Sequence, residues 1–329
     1  MDNSSTNQLY RNRRRRRILK LVLNYGIYFV VAVCFVYFSM NSKSFFSVNN
    51  LSNMLNDMMP LLSCSMGVVL VITCGELDLS VGSILLMGAN MLGCLLRFTG
   101  TDPYLGIVIC ILGVGVVCGA FNGILVVGLG INPWIVTLTT QFLLRGLTLL
   151  ITGTMVYQLP MELNWMHITK LFDFIPVLTI LPLAMLFVLQ YILRKTKFGR
   201  HLQAIGINRV AAEKIGINTK RVRFMVYIIS GITASMAGVL MAINLMYSIP
   251  TYGSGFEMYA IMASVIGGTS LMGGKGNVIG AIFGVLVISI LENGLSIIGV
   301  NVYLFNVIRA LIIFVAIYAD SIKMQLRIR

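Results

Sequence analysis

The stretch GRHLQAIGINRVAAEKIGINTKRVRF, Gly199 to Phe224, is charged and mildly amphipathic in a chain that is otherwise oily. Of the 329 residues, 57% are hydrophobic and 11% charged, with a mean hydropathy of +0.89. A soluble domain runs nearer 45 to 50% apolar and about 25% charged. Apolar runs of about 17 to 25 residues, enough to cross the hydrocarbon core as helix, recur on both sides of the basic stretch. They lie near 21–40, 54–73, 81–96, 105–128, 131–152 and 174–193 before it, and near 224–246, 257–272, 278–299 and 303–319 after it. The pattern predicts an all-α polytopic membrane protein with about ten transmembrane helices.

The formal net charge of +14 would suggest a nucleic-acid ligand in a soluble protein, so the position of the charge decides. Of the 25 Lys and Arg, 19 fall in three short stretches: Arg11 to Lys20, Arg194 to Arg223, and Lys323 to Arg329. Basic residues are retained on the cytoplasmic side. Both termini and the central loop are therefore expected inside, which agrees with an even number of spans before and after the loop. Lys275 falls inside by the same parity, while the outer segments at 41–53, 97–104, 153–173 and 247–256 carry only Lys43, Arg97 and Lys170. DNA binding is thereby disfavoured, and the Arg13 to Arg17 run reads as a topology determinant that contacts anionic lipid. A cleaved signal peptide is not expected, because a full-length span follows this run without a clear small-residue cleavage site. The expected organisation is a basic cytoplasmic segment at 1–20, one transmembrane domain at 21–320 that includes the cytoplasmic loop 194–223, and a tail at 321–329.

Candidate chemistry is sparse. Cys34, Cys64, Cys74, Cys94, Cys110 and Cys118 lie in or beside apolar runs with no C-x-x-C pair, and read as small packing residues. His167 and His201 are far apart, each placed in a loop, and give a metal site little support. No nucleophile and base stand at a recognisable spacing, so no catalytic residue and no bound cofactor are expected.

Four segments depart from plain hydrophobicity. In CGELDLSVGS, Cys74 to Ser83, Glu76 and Asp78 stand between two spans, where charge is costly unless paired or facing water. Asp78 and Ser80 are expected to cap the helix that follows, beside either an interfacial connector or a substrate route. In VIGGTSLMGGKGNVIGAIFGVLVISILENG, Val265 to Gly294, Gly268, Gly273, Gly274 and Lys275 superficially suggest a phosphate-binding loop. The G-x-x-x-x-G-K-[ST] pattern fails, since Thr269 stands where the first Gly must be and Gly276 follows the Lys. A glycine-rich cytoplasmic turn is expected instead, leading into a helix on which Gly276, Gly280 and Gly284 give a smooth packing face. Glu292 and Arg309 fall at matching depth in the last two spans and are expected to form a structural ion pair, whereas Asp57 and Arg145 have no partner nameable from sequence. The fourth segment is the opening stretch. Asn208 is a plausible N-cap and Gly216 a plausible C′ residue for a two-turn helix, RVAAEKI. A helix this short is unstable alone. It must rest on the membrane body or on a partner, either floating on anionic lipid or docking through Ala211 and Ala212, with Arg209, Glu213 and Lys214 fixing its orientation.

Together these segments resemble the permease subunits of ATP-binding-cassette importers of ribose, xylose and related monosaccharides. The matching stretches are GELDLSVGS (Gly75 to Ser83), NPWIVTLTTQFLLRGL (Asn132 to Leu147), TKFGRHLQAIGINRVAAEKIGIN (Thr196 to Asn218), SGITASMAGVLMA (Ser230 to Ala242) and VIGGTSLMGGKGNVIGAIFG (Val265 to Gly284). They are collinear and cover the chain from about 50 to 320. The resemblance implies that Asn208, Arg209, Ala211, Ala212, Glu213, Lys214 and Gly216 form a coupling helix. That helix would dock on a separate cytoplasmic ATPase, which binds ATP-Mg. It also implies a second permease chain, identical or related, and an extracytoplasmic sugar-binding protein, in a bacterial inner membrane. Gly75, Glu76, Asp78, Ser80, Pro133, Trp134 and Thr137 are the residues it places along the pathway. Trp134 stands where the family usually has Phe, and reads either as a sugar-stacking platform or as an interfacial or packing Trp. The related branched-chain amino acid permeases are one alternative, against which the DLSVG form at Asp78 to Gly82 favours sugar. An ion-coupled secondary transporter, with Glu76, Asp78 and Glu292 as ion sites, is another.

Overall fold

The computed structural model describes residues 31–301 together with 304, 305, 307, 308, 310, 311 and 314. Eleven main helices follow in chain order: α1 (Val31–Asn41), α2 (Val48–Thr73), α3 (Val81–Thr99), α4 (Pro103–Gly128), α5 (Pro133–Thr152), α6 (Val177–Lys195), α7 (Lys197–Ile207), α8 (Arg209–Lys214), α9 (Thr219–Leu245), α10 (Phe256–Ile266) and α11 (Val278–Ile297). Seven of them, α2 to α6, α9 and α11, are long and apolar enough to cross a membrane. The chain is a largely helical, multi-pass membrane protein.

Local sequence sets the helix starts. Ser47 accepts from the Asn50 amide to open α2. The Asp102–Pro103 and Asn132–Pro133 dipeptides open α4 and α5: the polar side chain accepts from amides of the first turn while proline fills N1, where no donor is needed. At the centre, α9 packs against α2, α3 and α4. Small residues allow that approach, since a Cβ on Gly231 would strike the Gly115 carbonyl of α4 and one on Gly238 the Leu85 carbonyl of α3. Gly280 and Gly284 do the same for α11 against α10, as expected; Gly276 precedes α11 and instead lies against Thr73.

Two departures from a plain bundle stand out. The first is a pair of two-residue antiparallel ladders: β1 (Tyr157–Gln158) pairs with β4 (Tyr247–Ser248), and β2 (Lys170–Leu171) with β3 (Ile175–Pro176). The second concerns the predicted span 257–272. Its helix, α10, has only 11 residues and is about 16 Å long, roughly half a crossing. Irregular chain packed along α3 precedes it. Ser248 donates to the Asn90 carboxamide oxygen of α3 at 2.9 Å, and the Asn90 amide donates to the Ile249 carbonyl at 3.3 Å. Five residues beyond Ser248, Gly253 (φ +71°) lies on the Gly82 carbonyl, eight residues nearer the start of α3. Gly82 and Asn90 are eight helical residues apart, about 12 Å, and residues 250–255 run beside them as turns, with the Tyr252 amide on the Ile249 carbonyl. The segment Tyr247 to Ile266 is therefore irregular in its first half and helical in its second. The predicted span 257–272 starts after the irregular half, which was expected in the outer segment 247–256, because Pro250, Thr251, Gly253, Ser254 and Gly255 dilute the apolar signal there.

The predicted spans 21–40 and 303–319 fall largely outside the described residues. So does Arg309, and with it the proposed pair to Glu292. Asp57 and Arg145 do acquire partners: Asn244 donates to the Asp57 carboxylate at 2.9 Å, and Arg145 Nη1 donates to the Tyr252 carbonyl at 3.4 Å.

Candidate functional site

The connector between α2 and α3, Cys74 to Ser80, is enclosed by α4, α5, α7 and α9 on the face that carries the basic loop. Asp78 is 1% exposed and is held by three donors: the Ser80 amide at 2.9 Å and Ser80 hydroxyl at 2.6 Å on Oδ1, and the Ser230 hydroxyl of α9 at 2.7 Å on Oδ2. Asn122 of α4 donates to Ser80 Oγ at 2.7 Å, which ties a third helix to the cluster. Thr137 of α5 bonds its own i−4 carbonyl, Pro133, at 2.9 Å and reaches the Leu77 carbonyl at 3.5 Å. Glu76 pairs with Arg223 of α9, both nearly inaccessible. The Gly274 amide donates to the Thr73 carbonyl at 2.9 Å, so the glycine-rich turn closes over the end of α2.

This geometry corrects the capping expectation. Ser80 stands at the N-cap of α3 but makes no side-chain cap bond, and Asp78 bonds the N-cap amide itself rather than those of the first turn. The carboxylate is committed to a tight Asx-type turn and to α9, which locks the connector in place. Among the expected pathway residues, Gly75, Glu76, Asp78, Ser80 and Thr137 are brought together. Pro133 is confined to the first turn of α5, and Trp134 stays half exposed while Thr137, one turn on, is buried.

The basic stretch folds as α7, α8 and the start of α9. Asn208 Oδ1 accepts from the Ala211 amide at 3.0 Å, the N-cap expected. At the other end the Gly216 amide donates to the Glu213 carbonyl and the Ile217 amide to the Ala212 carbonyl, with Gly216 at φ +84°. These are the two bonds of a Schellman motif, and a left-handed residue is needed there. The two alanines do not act together: Ala212 is buried against the body and Ala211 faces out. Beside Ala211, Ile207, Val210 and Ile215 are 62% to 76% exposed, and Arg209 and Lys214 also face solvent. Glu213 is turned onto its own loop, accepting from Arg209 Nε at 3.1 Å and Thr219 Oγ1 at 2.7 Å, and these bonds hold its carboxyl below the usual carboxylate range. His201 lies in α7 and His167 in the single turn Asn164–Ile168, so both histidines expected in loops are helical.

Sequence reasoning missed Arg223, Ser230 and Asn122. Arg223 was counted only as one cation of a basic cluster, although it falls at the edge of an apolar run, where an unpaired cation would be costly. Ser230 and Asn122 are uncharged residues within predicted spans, and their polarity is the one available signal.

A family model described as branched-chain amino acid transport system / permease component matches residues 50–317. The D-allose transport system permease protein of Escherichia coli K12 is 34% identical over 300 residues, 91% of each chain. The ribose import permease protein of Bacillus subtilis is 34% identical over 322 residues, 97% of this chain and 99% of that one. The ribose import permease protein of Escherichia coli K12 is 33% identical over 287 residues, 86% and 88% respectively. No solved structure matches the chain.

Proposed function

We propose, from the premise that the chain belongs to the branched-chain amino acid transport system permease component family, that it is the membrane-spanning subunit of an ATP-binding-cassette importer for a monosaccharide. The relatives named for D-allose and ribose, aligned along nearly the whole chain, support sugar over an amino acid within that family. The remaining parts of the reading are a cytoplasmic ATPase that binds ATP-Mg, a second permease chain, and an extracytoplasmic sugar-binding protein. The setting is a bacterial inner membrane, with ten crossings and both termini inside.

The observation that carries the coupling role is α8. Both its ends are capped, its inner face is seated by Ala212, and its outer face presents Val210, flanked by the exposed Ile207 and Ile215, on the hydrophilic loop. Apolar side chains held out beside Arg209 and Lys214 suit a groove on a partner protein better than water. Asn208 and Gly216 fix the shape of the peg, and Glu213 orients Arg209. Closure of the ATPase pair would push on α8 and, through α9, on the Glu76–Arg223 and Asp78–Ser230 contacts at the connector, shifting the permease between inward-open and outward-open states. Along this route Gly75, Glu76, Asp78, Ser80 and Thr137 act as the inner closure. An ion-coupled mechanism fits poorly, because Glu76 is neutralised by Arg223 and Asp78 is filled by three donors.

The test is uptake of labelled D-ribose and D-allose by proteoliposomes that contain the chain, its candidate ATPase and binding protein, with and without internal ATP and an ionophore. Uptake that requires ATP and ignores the ionophore is expected; the reverse pattern overturns the importer. Within that assay Val210→Asp, on the exposed face of α8, should leave the permease in the membrane while uptake and ATPase association fall at least about tenfold, as for a central interface residue. Parental uptake would remove α8 from the coupling path.

A further inference from the structure

The irregular segment ahead of α10 carries polar groups that the inner closure does not use. Thr251 and Ser254, in that segment, are exposed although Ile249 and Gly253 beside them contact α3 at Asn90 and Gly82. Irregular backbone at membrane depth is tolerated where protein buries it or where it lines a water-filled cavity, not against lipid. The adjoining wall is also unfinished. Gln141 Nε2 of α5 donates to Glu257 Oε1 at 2.9 Å, but Glu257 Oε2, packed on Gly82 and buried, has no partner among the described residues. Arg145, one turn beyond Gln141, uses Nη1 on the Tyr252 carbonyl and leaves Nη2 buried and unpartnered among the described residues. Thr137, Thr139, Thr148 and Thr152 of α5 each bond the carbonyl four residues back, whereas the Thr140 hydroxyl, fully buried, bonds nothing among the described residues.

A buried acceptor, a buried donor and a buried hydroxyl left open in one region are costly and therefore informative. Their chemistry matches a polyol. Each sugar hydroxyl donates one hydrogen bond and accepts others, so it can give its proton to a carboxylate oxygen while taking one from a guanidinium or an adjacent hydroxyl. A cation would suit Glu257 but would be repelled by Arg145, and a phosphate the converse. We propose that the segment Ile249 to Glu257, with Gln141 and Arg145 of α5 bonded to it and Thr140 beside them on that helix, is a contact site for the hydroxyls of the monosaccharide in transit, at the point where irregular chain gives way to helix α10. The inference rests on the importer reading and adds to it a place and a set of groups. Glu257 Oε2 accepts from the sugar, Arg145 Nη2 donates to it, and Thr251 and Ser254 line the aqueous side. Few contacts are formed and the wall is partly open, which suits a site that must release its ligand.

The experiment places Thr251→Cys and Ser254→Cys singly in a cysteine-free version of the full importer and treats them with a charged, membrane-impermeant thiol reagent. Val117→Cys, on the exposed apolar face of α4, is the control. Labelling of both positions but not of the control is expected, and labelling should be slowed by whichever of D-ribose and D-allose the uptake assay accumulates. Glu257→Gln should keep the cysteines labelled but raise the sugar concentration needed for protection about tenfold, the loss of one hydrogen bond to a charged group. Absence of labelling in an importer that still transports overturns the proposal. Labelling with no sugar protection, or protection unchanged in Glu257→Gln, also overturns it. If neither sugar accumulates with ATP, the importer reading has failed instead, and the labelling by itself still decides whether the segment faces water.

Discussion

Two arginine–glutamate pairs stand on the same face of this protein and differ in nearly every physical respect. Arg223–Glu76 joins α9 to the α2–α3 connector with side chains 4% and 10% exposed. Arg209–Glu213 is an i,i+4 pair on α8 with side chains 49% and 47% exposed. The same two residue types therefore do different things. In the first pair neither charge has water to fall back on, so each is tolerable only because the other is present, and the pair fixes where the connector sits. In the second, water and salt screen both charges, and the pair does no more than orient a surface. Burial, and not the chemical identity of the partners, separates a structural tie from a recognition element.

The sharpest way to break this contrast is Glu76→Ala. It leaves Arg223 buried without a counter-charge, for which a loss of about 3 to 5 kcal/mol is the usual scale. The purified protein should melt well below the parent, and the combined Glu76→Leu, Arg223→Met replacement should recover most of the difference. A Glu76→Ala protein that melts with the parent would show that water reaches Arg223, and the two pairs would then be alike.

A smaller effect is expected from Asp78→Asn, which keeps the shape. One of the two carboxylate oxygens becomes an NH2 group; turned toward Ser230 it donates to that hydroxyl, which can accept, while the remaining oxygen keeps the Ser80 donors. The cost is about 1 kcal/mol, that of exchanging charge-assisted hydrogen bonds for neutral ones. Thermal unfolding should rank this variant between Glu76→Ala and the parent. A loss as large as that of Glu76→Ala would mean that charge, and not hydrogen bonding, holds the connector to α9.

The sequence made one of these regions far more legible than the other. The exposed helix α8 is a local object: its N-cap Asn208 and its C′ Gly216 are read from residue types a few positions apart, and both ends have the geometry expected. Only the inward orientation of Ala212 needed the structure, because the sequence does not say which side of a two-turn helix meets the body. The buried cluster is non-local. Glu76 meets Arg223 and Asp78 meets Ser230 across about 150 positions, and no spacing rule joins them. Local signals at Asp78 and Ser80 pointed to a helix cap, but the tertiary contact to α9 took the carboxylate instead. The irregular segment ahead of α10 was hidden for a related reason. A hydropathy window assumes that a crossing is helical, and the backbone of Ile249 to Gly255 is accommodated by its contacts with α3.

The mildest prediction concerns acid. Glu213 has its carboxyl held below the usual range, first by the Thr219 hydroxyl and then by Arg209. A depressed folded value means that the ionised form is favoured by the fold, so its contribution is present above the ordinary carboxylate range and is lost as pH falls through the folded value. The side chain is about half exposed and water screens it, so global melting should not register the change. Amide hydrogen exchange across Asn208 to Thr219 should, with protection steady near neutrality and declining on acidification below the range where free glutamate titrates. Glu213→Gln removes the titration and should flatten that decline while leaving neutral-pH melting at the parental value. If the decline persists in Glu213→Gln, its source lies elsewhere in the loop. If melting itself falls, Glu213 is a structural tie after all, and exposure would not distinguish the two pairs.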